Sequence, residues 1–226
     1  MELMTEQYRQ IVEPCIAFAR QFLDLPSQVE LCFEDCPSRM FPQATNASET
    51  NGQEIYFNKQ WFLERINDHR DDLEFFAFHE LRHCHQIRSI QKMNKGLPTQ
   101  DSNEVVQLWQ QNYNGYVRNE DARTEQRNVL QEIEIDANAY GIVLSNLLHI
   151  SDDKELYFSP PEYAMRPAFA RAKEYYEREP KVVAYLERFR NPQPRRVQKY
   201  ERNKPCPCGS GKKWKKCTCK EYHEDY

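Results

Sequence analysis

Two histidines four residues apart, in the motif HELRH, constrain this chain more than any other feature of its sequence. The motif spans residues 79–83 and places Glu80 directly after His79. Residues four apart lie on one face of an α-helix, so His79 and His83 reach the same metal ion only if the segment is helical. Glu80 lies about 100° further round, where a carboxylate can take a proton from a zinc-activated water. His85 faces away from His83 and is not a predicted ligand.

A third zinc ligand is predicted in QEIEIDANAYG, residues 131–141. Glu134 offers a carboxylate there. Asn138, one helical turn later, offers an oxygen that can accept a hydrogen bond from the outer ring nitrogen of a ligating histidine. Glu132 and Asp136 have the same spacing and compete for these two roles. Either pair would complete a site of two histidines and one carboxylate.

HELRH and the downstream segment 134–138 together resemble the gluzincin metallopeptidases, particularly the small cytoplasmic members of the ImmA/IrrE group. The EIYFN segment, residues 54–58, is similar to the edge strand of that group, and the resemblance covers roughly residues 30–148. It implies a helix-rich, minigluzincin-like α+β body with a small sheet, which hydrolyses peptide bonds of a cytoplasmic protein substrate. The residues that correspond to the zinc ligands and the catalytic base are, in that order, His79, His83, Glu134 and Glu80. The resemblance thus favours Glu134 over Glu132 as the third ligand, with Asn138 orienting a histidine.

Arg82 departs from the pattern of that family, because the variable positions of HExxH are usually uncharged. It projects about 60° to one side of His79, away from Glu80. Three interpretations are open: Arg82 pairs with Asp136 or Glu132, it binds a substrate carboxylate, or it marks an exposed helix on which the motif arose by chance. The candidate donors to a reaction oxyanion are Tyr113, Tyr116 and Tyr140.

A second metal site is predicted near the C-terminus, in KPCPCGSGKKWKKCTCK. Its four cysteines are Cys206, Cys208, Cys217 and Cys219. Gly209 and Gly211 permit a sharp turn between the two cysteine pairs, and four thiolates complete a tetrahedral structural zinc site. A knuckle this short has almost no core, so the metal supplies its folding free energy. The alternative is a disordered basic tail with free cysteines.

This stretch resembles the SEC-C motif, named for the zinc-binding C-terminus of the SecA translocase ATPase. Residues 205–217 match its pattern PCPCGSGKKYKKC almost residue for residue. The usual fourth ligand directly follows the third, but Thr218 occupies that position here. The fourth ligand is therefore carried to Cys219, with His223 as the alternative. The motif implies docking rather than catalysis, and the expected partners of this basic tail are a ribosome, RNA or a chaperone.

The charge distribution supports two modules. Residues 1–194 carry 21 Lys and Arg against 31 Asp and Glu, whereas residues 195–220 carry 10 against one. Such a split indicates units with different partners. We therefore predict a metallopeptidase-like domain, a basic proline-containing linker and a SEC-C motif, at residues 1–190, 191–203 and 204–226. Zinc is expected in both modules, once as a catalytic ion and once as a structural ion.

The compartment and a rival function follow from what the sequence lacks. Its start has no basic and apolar regions of a secretory signal, and no apolar run approaches the roughly 18 residues of a membrane span. We expect a cytoplasmic protein without membrane contact. The rival to the peptidase is a non-enzymatic zinc-binding adaptor associated with the ribosome or the export machinery. Arg82 favours the adaptor, and the combined motifs favour the enzyme.

Periodicity and turn residues predict the secondary structure. Helices are predicted at residues 6–23, 72–93, 101 onwards, 122–149, 161–177 and 180–190, and strands at residues 28–35 and 54–58. The polar segment ATNASETNGQ, residues 44–53, is interpreted as a turn region. Val105, Leu108 and Trp109 are expected on one helix face, and Leu130 is expected to begin the inward stripe of the helix at 122–149.

Overall fold

The structure is a computed structural model that describes residues 2–41, 46–63, 70–118, 127–150, 162–190, 211–213 and 216. Two compact units are distinguished, Met1–Val182 and Val183–Tyr226. The first unit contains the sheet and the HELRH helix, and the boundary falls within the last helix. Among the described residues, no helix combines the length and the apolar character that crossing a membrane requires.

Seven helices and three strands have complete bounds within the described residues, and residues 127–129 form a further helical segment. The helices are α1 (Glu2–Ala19), α2 (Lys59–Leu63), α3 (Arg70–Asn94), α4 (Asn103–Asn114), α5 (Glu132–Leu148), α6 (Glu162–Arg178) and α7 (Pro180–Arg190), and the strands are β1 (Glu30–Glu34), β2 (Ser48–Thr50) and β3 (Glu54–Asn58). The predicted α+β class is confirmed. The predicted helix at 72–93 and the predicted strand at 54–58 are present, whereas α1 ends at Ala19 rather than at residue 23.

The sheet has the order β1-β3-β2, with β1 parallel and β2 antiparallel to β3. Ile55 and Phe57 of β3 are fully buried, as the alternation in EIYFN predicts. β3 therefore lies in the centre of the sheet, and β2 is an edge strand. The resemblance placed EIYFN at the edge, so that expectation is wrong.

β2 lies inside the polar segment that was interpreted as a turn. Two side chains close the hairpin between β2 and β3: Thr50 Oγ1 donates to Glu54 O at 2.6 Å, and Asn51 Oδ1 accepts from the backbone N–H of Glu54 at 2.9 Å. Gly52 has a φ of 99°, which suits glycine at this turn. The strand was missed because three polar residues at a sheet edge carry no hydrophobic alternation.

α3 is the central helix and packs against α1, α4 and α5. One close approach to α5 is at Gly141, where an added Cβ would lie 2.7 Å from Phe75 Cε2 of α3. Only glycine leaves room for that aromatic ring. Ala137, four residues earlier on the same face, is fully buried. Small residues on α5 therefore bring its polar side chains within reach of those on α3.

The start of α5 differs from the predicted helix at 122–149. Gln131 is the N-cap, with φ −69° and ψ 140°, and Leu130 before it is 42% exposed rather than part of an inward stripe. The Gln131 side chain forms two hydrogen bonds with the backbone of Val117. Its Oε1 accepts from the Val117 N–H at 2.8 Å, and its Nε2 donates to the Val117 carbonyl at 3.1 Å. These contacts compete with a continuous helix. Residues 127–129 are helical, as predicted, so the helix is interrupted at residues 130–131, and residues 122–126 lie outside the described residues.

α4 also begins later than predicted. Ser102 is the N-cap and accepts from the backbone N–H of Val105, which frees Asp101 for contacts with α3. Val106 and Trp109 are the buried residues of the helix. Val105 and Leu108 are each 39% exposed. The prediction that they share the buried face with Trp109 is therefore wrong.

Candidate metal centre

Three side chains from two helices converge on one point. The Nε2 atoms of His79 and His83, both on α3, lie 3.0 Å apart. Glu134, in the first turn of α5, places Oε2 3.4 Å from His79 Nε2 and Oε1 3.5 Å from His83 Nε2. These are the predicted ligands, and all three are largely buried. In the described residues no other group of three His, Cys, Asp or Glu side chains has ligand spacing.

The donor set fits zinc. Zinc–nitrogen and zinc–oxygen bonds of about 2.0–2.2 Å at tetrahedral angles place neighbouring ligand atoms about 3.4 Å apart. The two distances that involve Glu134 match this value, and the two nitrogens need to separate by only about 0.4 Å. A site of two histidines and one carboxylate leaves one tetrahedral position for water or substrate. The chain thus offers the ligand number and chemistry of an open zinc site.

Each histidine has a hydrogen-bond partner at Nδ1, the ring nitrogen that faces away from the other ligands. His79 Nδ1 lies 3.0 Å from Asn138 Oδ1, which is the contact predicted for Asn138. His83 Nδ1 lies 2.7 Å from Gln86 Oε1, a contact that the sequence analysis missed. An acceptor at Nδ1 favours a proton there and leaves Nε2 free to bind a metal. The spacing of three residues between His83 and Gln86 on one helix was an available signal.

The side chains of the triad shift one another's pKa values. Burial alone would lower the pKa of His83, but the Glu134 carboxylate outweighs it and raises the pKa to about 9. Burial alone would raise the pKa of Glu134, but the nearby histidines hold it well below its usual value. A buried carboxylate and a buried imidazolium thus compensate each other. A cation at the same point would replace that proton.

Glu80 is positioned by the edge strand. Its Oε1 accepts a hydrogen bond from Ser48 Oγ of β2 at 2.7 Å. The Glu80 side chain is buried, and it lines the same cavity as His79 and His83. The sequence offered no signal for Ser48, because the contact joins residues 32 positions apart through a strand that has no hydrophobic pattern.

The competing pair of carboxylates is engaged elsewhere. Glu132 bonds Arg171 of α6 at 3.1 Å, and its side chain is 40% exposed. Asp136 accepts from Gln86 Nε2 at 2.6 Å and from the Tyr175 hydroxyl. Neither carboxylate belongs to the ligand group of the described residues. The geometry therefore distinguishes Glu134 from Glu132, which the spacing left open.

Arg82 pairs with Asp136, one of the predicted alternatives. Its Nε donates to Asp136 Oδ2 at 2.8 Å, and its Nη2 lies 3.3 Å from Asp101 Oδ1. The guanidinium lies over Tyr140 and Trp109, with Cζ 3.8 Å and 4.9 Å from the ring centroids. Arg82 is 1% exposed. It is a buried structural cation, so neither an exposed helix nor direct binding of substrate by Arg82 agrees with the structure.

A cavity of about 640 Å³ gives access to the triad. Tyr113 and Tyr116 line it, whereas Tyr140 is buried beneath Arg82 and does not. The Tyr116 hydroxyl donates to Glu134 Oε1 at 2.6 Å, and burial raises its pKa further above its already high ordinary value. The Tyr116 hydroxyl thus keeps its proton at neutral pH and acts as a hydrogen-bond donor. Of the three candidate tyrosines, the structure places two beside the site.

The second predicted site is described only in part. Gly211 has a φ of 69°, and Lys216 N–H donates to Lys213 O at 2.8 Å, so the chain turns between the cysteine pairs. This agrees with the sharp turn expected from Gly211. The predicted ligands Cys206, Cys208, Cys217 and Cys219, and the alternative His223, lie outside the described residues.

Comparison with known proteins identifies the C-terminal stretch. Residues 202–220 match the SEC-C motif, a zinc-binding type of motif. The chain is also 56% identical over 39 residues to the protein translocase subunit SecA of Chloroflexus aggregans (strain MD-66 / DSM 9485). That similarity covers 17% of this chain and 4% of the SecA protein. No solved structure matches the chain.

Proposed function

We propose that the first unit is a zinc-dependent peptidase of gluzincin type, and that the SEC-C motif docks it to a partner. The observation that carries the peptidase proposal is the convergence of His79, His83 and Glu134 within ligand distance of one another. Glu80 is available beside them in the same cavity. A purely structural zinc site is closed by four protein ligands, whereas three ligands and a carboxylate base suit hydrolysis.

The residues of the chain have distinct tasks in this reaction. When bound, zinc lowers the pKa of a water towards 7 and polarises the carbonyl that is attacked. Glu80 accepts a proton from the attacking water and later donates it to the leaving amine. Ser48 holds the Glu80 carboxylate in place through the 2.7 Å hydrogen bond. Tyr116 also lies beside the site, and its hydroxyl would have to release its 2.6 Å hydrogen bond to Glu134 Oε1 before it could donate to the oxyanion.

A peptide substrate is favoured by the edge strand. Ser48, Glu49 and Thr50 of β2 all line the cavity, and β2 pairs with β3 along one side only in the described sheet. An extended peptide can add to such an edge through main-chain hydrogen bonds. Its scissile carbonyl would then lie beside the metal centre. Pairing of this kind recognises a backbone and therefore suits peptide hydrolysis.

The SEC-C motif supports a docking role for the second module. Its lysines, Lys212, Lys213, Lys215 and Lys216, form a basic cluster in a tail that carries 10 Lys and Arg against one Glu over residues 195–220. Such a cluster suits ribosomal RNA or an acidic chaperone surface. The tail would hold the peptidase near newly made or exported proteins. If the first unit binds zinc without hydrolysing peptides, the adaptor function remains.

The decisive experiment compares Glu80→Gln with the native chain on a proteome-derived peptide library, with new termini read by mass spectrometry. The native chain should cleave peptides and lose this activity when zinc is chelated. Glu80→Gln keeps the shape and the ligands, so it should retain zinc and lose cleavage by at least about 100-fold. Glu132→Gln, an exposed carboxylate of α5, is the matched control. Equal cleavage by Glu80→Gln and the native chain would refute the peptidase proposal.

A further inference from the structure

Gln86 is a fully buried amide that bonds on both of its sides. Its Oε1 lies 2.7 Å from His83 Nδ1, and its Nε2 donates to Asp136 Oδ2 at 2.6 Å and to Ile133 O at 3.1 Å. It is fully buried together with its three partners, whose exposure is 8% or less. No role for Gln86 follows from the HELRH motif, which ends three residues earlier.

The partners determine which way the amide points. A backbone carbonyl and a carboxylate both accept hydrogen bonds and cannot donate them. The nitrogen of Gln86 must therefore face Ile133 and Asp136, and its oxygen must face His83. Reversing the amide would place an oxygen against two acceptors in a buried site, which is costly. The orientation is fixed by chemistry.

Asp136 itself accepts hydrogen bonds from two further side chains. Arg82 donates through Nε at 2.8 Å and through Nη2 at 3.2 Å, and the Tyr175 hydroxyl donates to Oδ1. The guanidinium is 1% exposed and offers only donors, so the Asp136 oxygens that face it must accept. Arg82, inside HELRH, thus makes Asp136 a hydrogen-bond acceptor. Asp136 in turn orients the Gln86 amide with its nitrogen towards α5.

We propose that Gln86 is a positioning residue that fixes the His83 tautomer, through a relay in which Arg82 anchors Asp136 and Asp136 orients the Gln86 amide. An oxygen at His83 Nδ1 requires a proton on that nitrogen and leaves the Nε2 lone pair directed at Glu134 and His79. This is the tautomer that binds a metal through Nε2. The inference rests on the proposed zinc centre but not on the proposed hydrolysis.

The test is the zinc affinity of the full chain, measured by competition with a chromophoric chelator. The zinc-binding step that is lost in His79→Ala is assigned to the first unit, and the other step is assigned to the C-terminal cysteines. Gln86→Met keeps length and volume but removes the amide, so the step of the first unit should weaken by about 10- to 100-fold. Gln91→Met, an exposed position on the same helix, is the matched control and should leave the step unchanged.

Gln86→Glu separates positioning from packing. It keeps an acceptor oxygen for His83, so its zinc affinity should lie nearer the native value than that of Gln86→Met. Thermal unfolding of each metal-free variant measures the structural cost separately. A native affinity in folded Gln86→Met, or equal losses in Gln86→Met and Gln86→Glu, would overturn the relay. A native chain that binds zinc but cleaves no peptide would refute the peptidase proposal and leave the relay standing.

Discussion

Arg82 Nε donates to Asp136 Oδ2 at 2.8 Å, and each of these side chains exposes only 1% of its surface. The pair joins α3 to α5 directly behind the candidate metal centre. A buried charge whose partner is removed is destabilising by several kcal/mol, whereas an exposed pair contributes little. The residue that departs from the HExxH pattern therefore stabilises the body around the site.

Arg82→Met should lower the free energy of unfolding by about 3–5 kcal/mol, because it leaves the Asp136 carboxylate buried without its cation. Arg88→Met is the matched control on the same helix. Arg88 pairs with Asp24 in a half-exposed setting, so its removal should cost about 1 kcal/mol or less. Urea unfolding of both variants gives the comparison. Similar losses would contradict a buried structural role for Arg82.

Glu134→Ala should abolish zinc binding by the first unit, whereas Glu132→Ala should leave it intact. Glu134 lies within 3.5 Å of both histidine nitrogens, but Glu132 is bonded to Arg171. Zinc per chain, measured by atomic emission after gel filtration, should fall by about one for Glu134→Ala alone. The reverse order would move the third ligand to Glu132.

Ser48→Ala should reduce peptide cleavage by about 10- to 100-fold without loss of zinc, because a hydrogen bond to a carboxylate contributes about 1.5–3 kcal/mol. The contact positions Glu80 and touches none of the three metal ligands. Ser48→Thr retains the hydroxyl and should recover most of the activity. Zinc content and kcat/KM are measured on the same preparations. Unchanged cleavage by Ser48→Ala would show that β2 does not orient the base.

Asp101 gives the protein a pH-dependent part of its stability. Burial would raise the pKa of Asp101, but Arg82 and His85 lower it to about 2. Because the folded-state pKa is depressed, this stability is fully present above the ordinary value near 4 and is lost as the pH falls towards 2. The native chain should therefore lose about 2 kcal/mol more than Asp101→Asn between pH 5 and pH 2. Parallel stability curves for the two chains would contradict this assignment.

Cys208→Ser should remove about one zinc per chain and abolish docking by the C-terminal module, although its Lys and Arg residues are unchanged. The proposed partners are a ribosome, RNA or a chaperone, and binding of the native chain to ribosomes should weaken steeply with salt. Sedimentation with purified ribosomes at increasing salt measures both effects. If Cys208→Ser binds as well as the native chain, the stretch acts only as a basic tail.

The spacing of residues in the sequence was sufficient to predict features that lie within a single helix or strand. HELRH predicted a helix with two histidines on one face, and EIYFN predicted a buried strand by its alternation. Both patterns arise from the period of a single element, which the sequence displays directly. Glu134 and Asn138 are one helical turn apart and share a face of α5, but Glu132 and Asp136 have the same spacing, so the contacts of Glu134 and Asn138 with the histidines required the packing of α5 against α3.

Contacts between distant segments were decided only by the tertiary structure. Ser48 reaches Glu80 through a three-residue polar strand, and Arg82 is buried because α5 presents Asp136 from 54 positions away. The orientation of Gln86 is likewise set by two acceptors on α5, Ile133 O and Asp136 Oδ2. The sequence by itself determined which residues have metal chemistry and which share a helix face. Which carboxylate faces the histidines, and which one neutralises Arg82, depended on how two helices pack, because the free energy of a buried charge is set by neighbours that are remote along the chain.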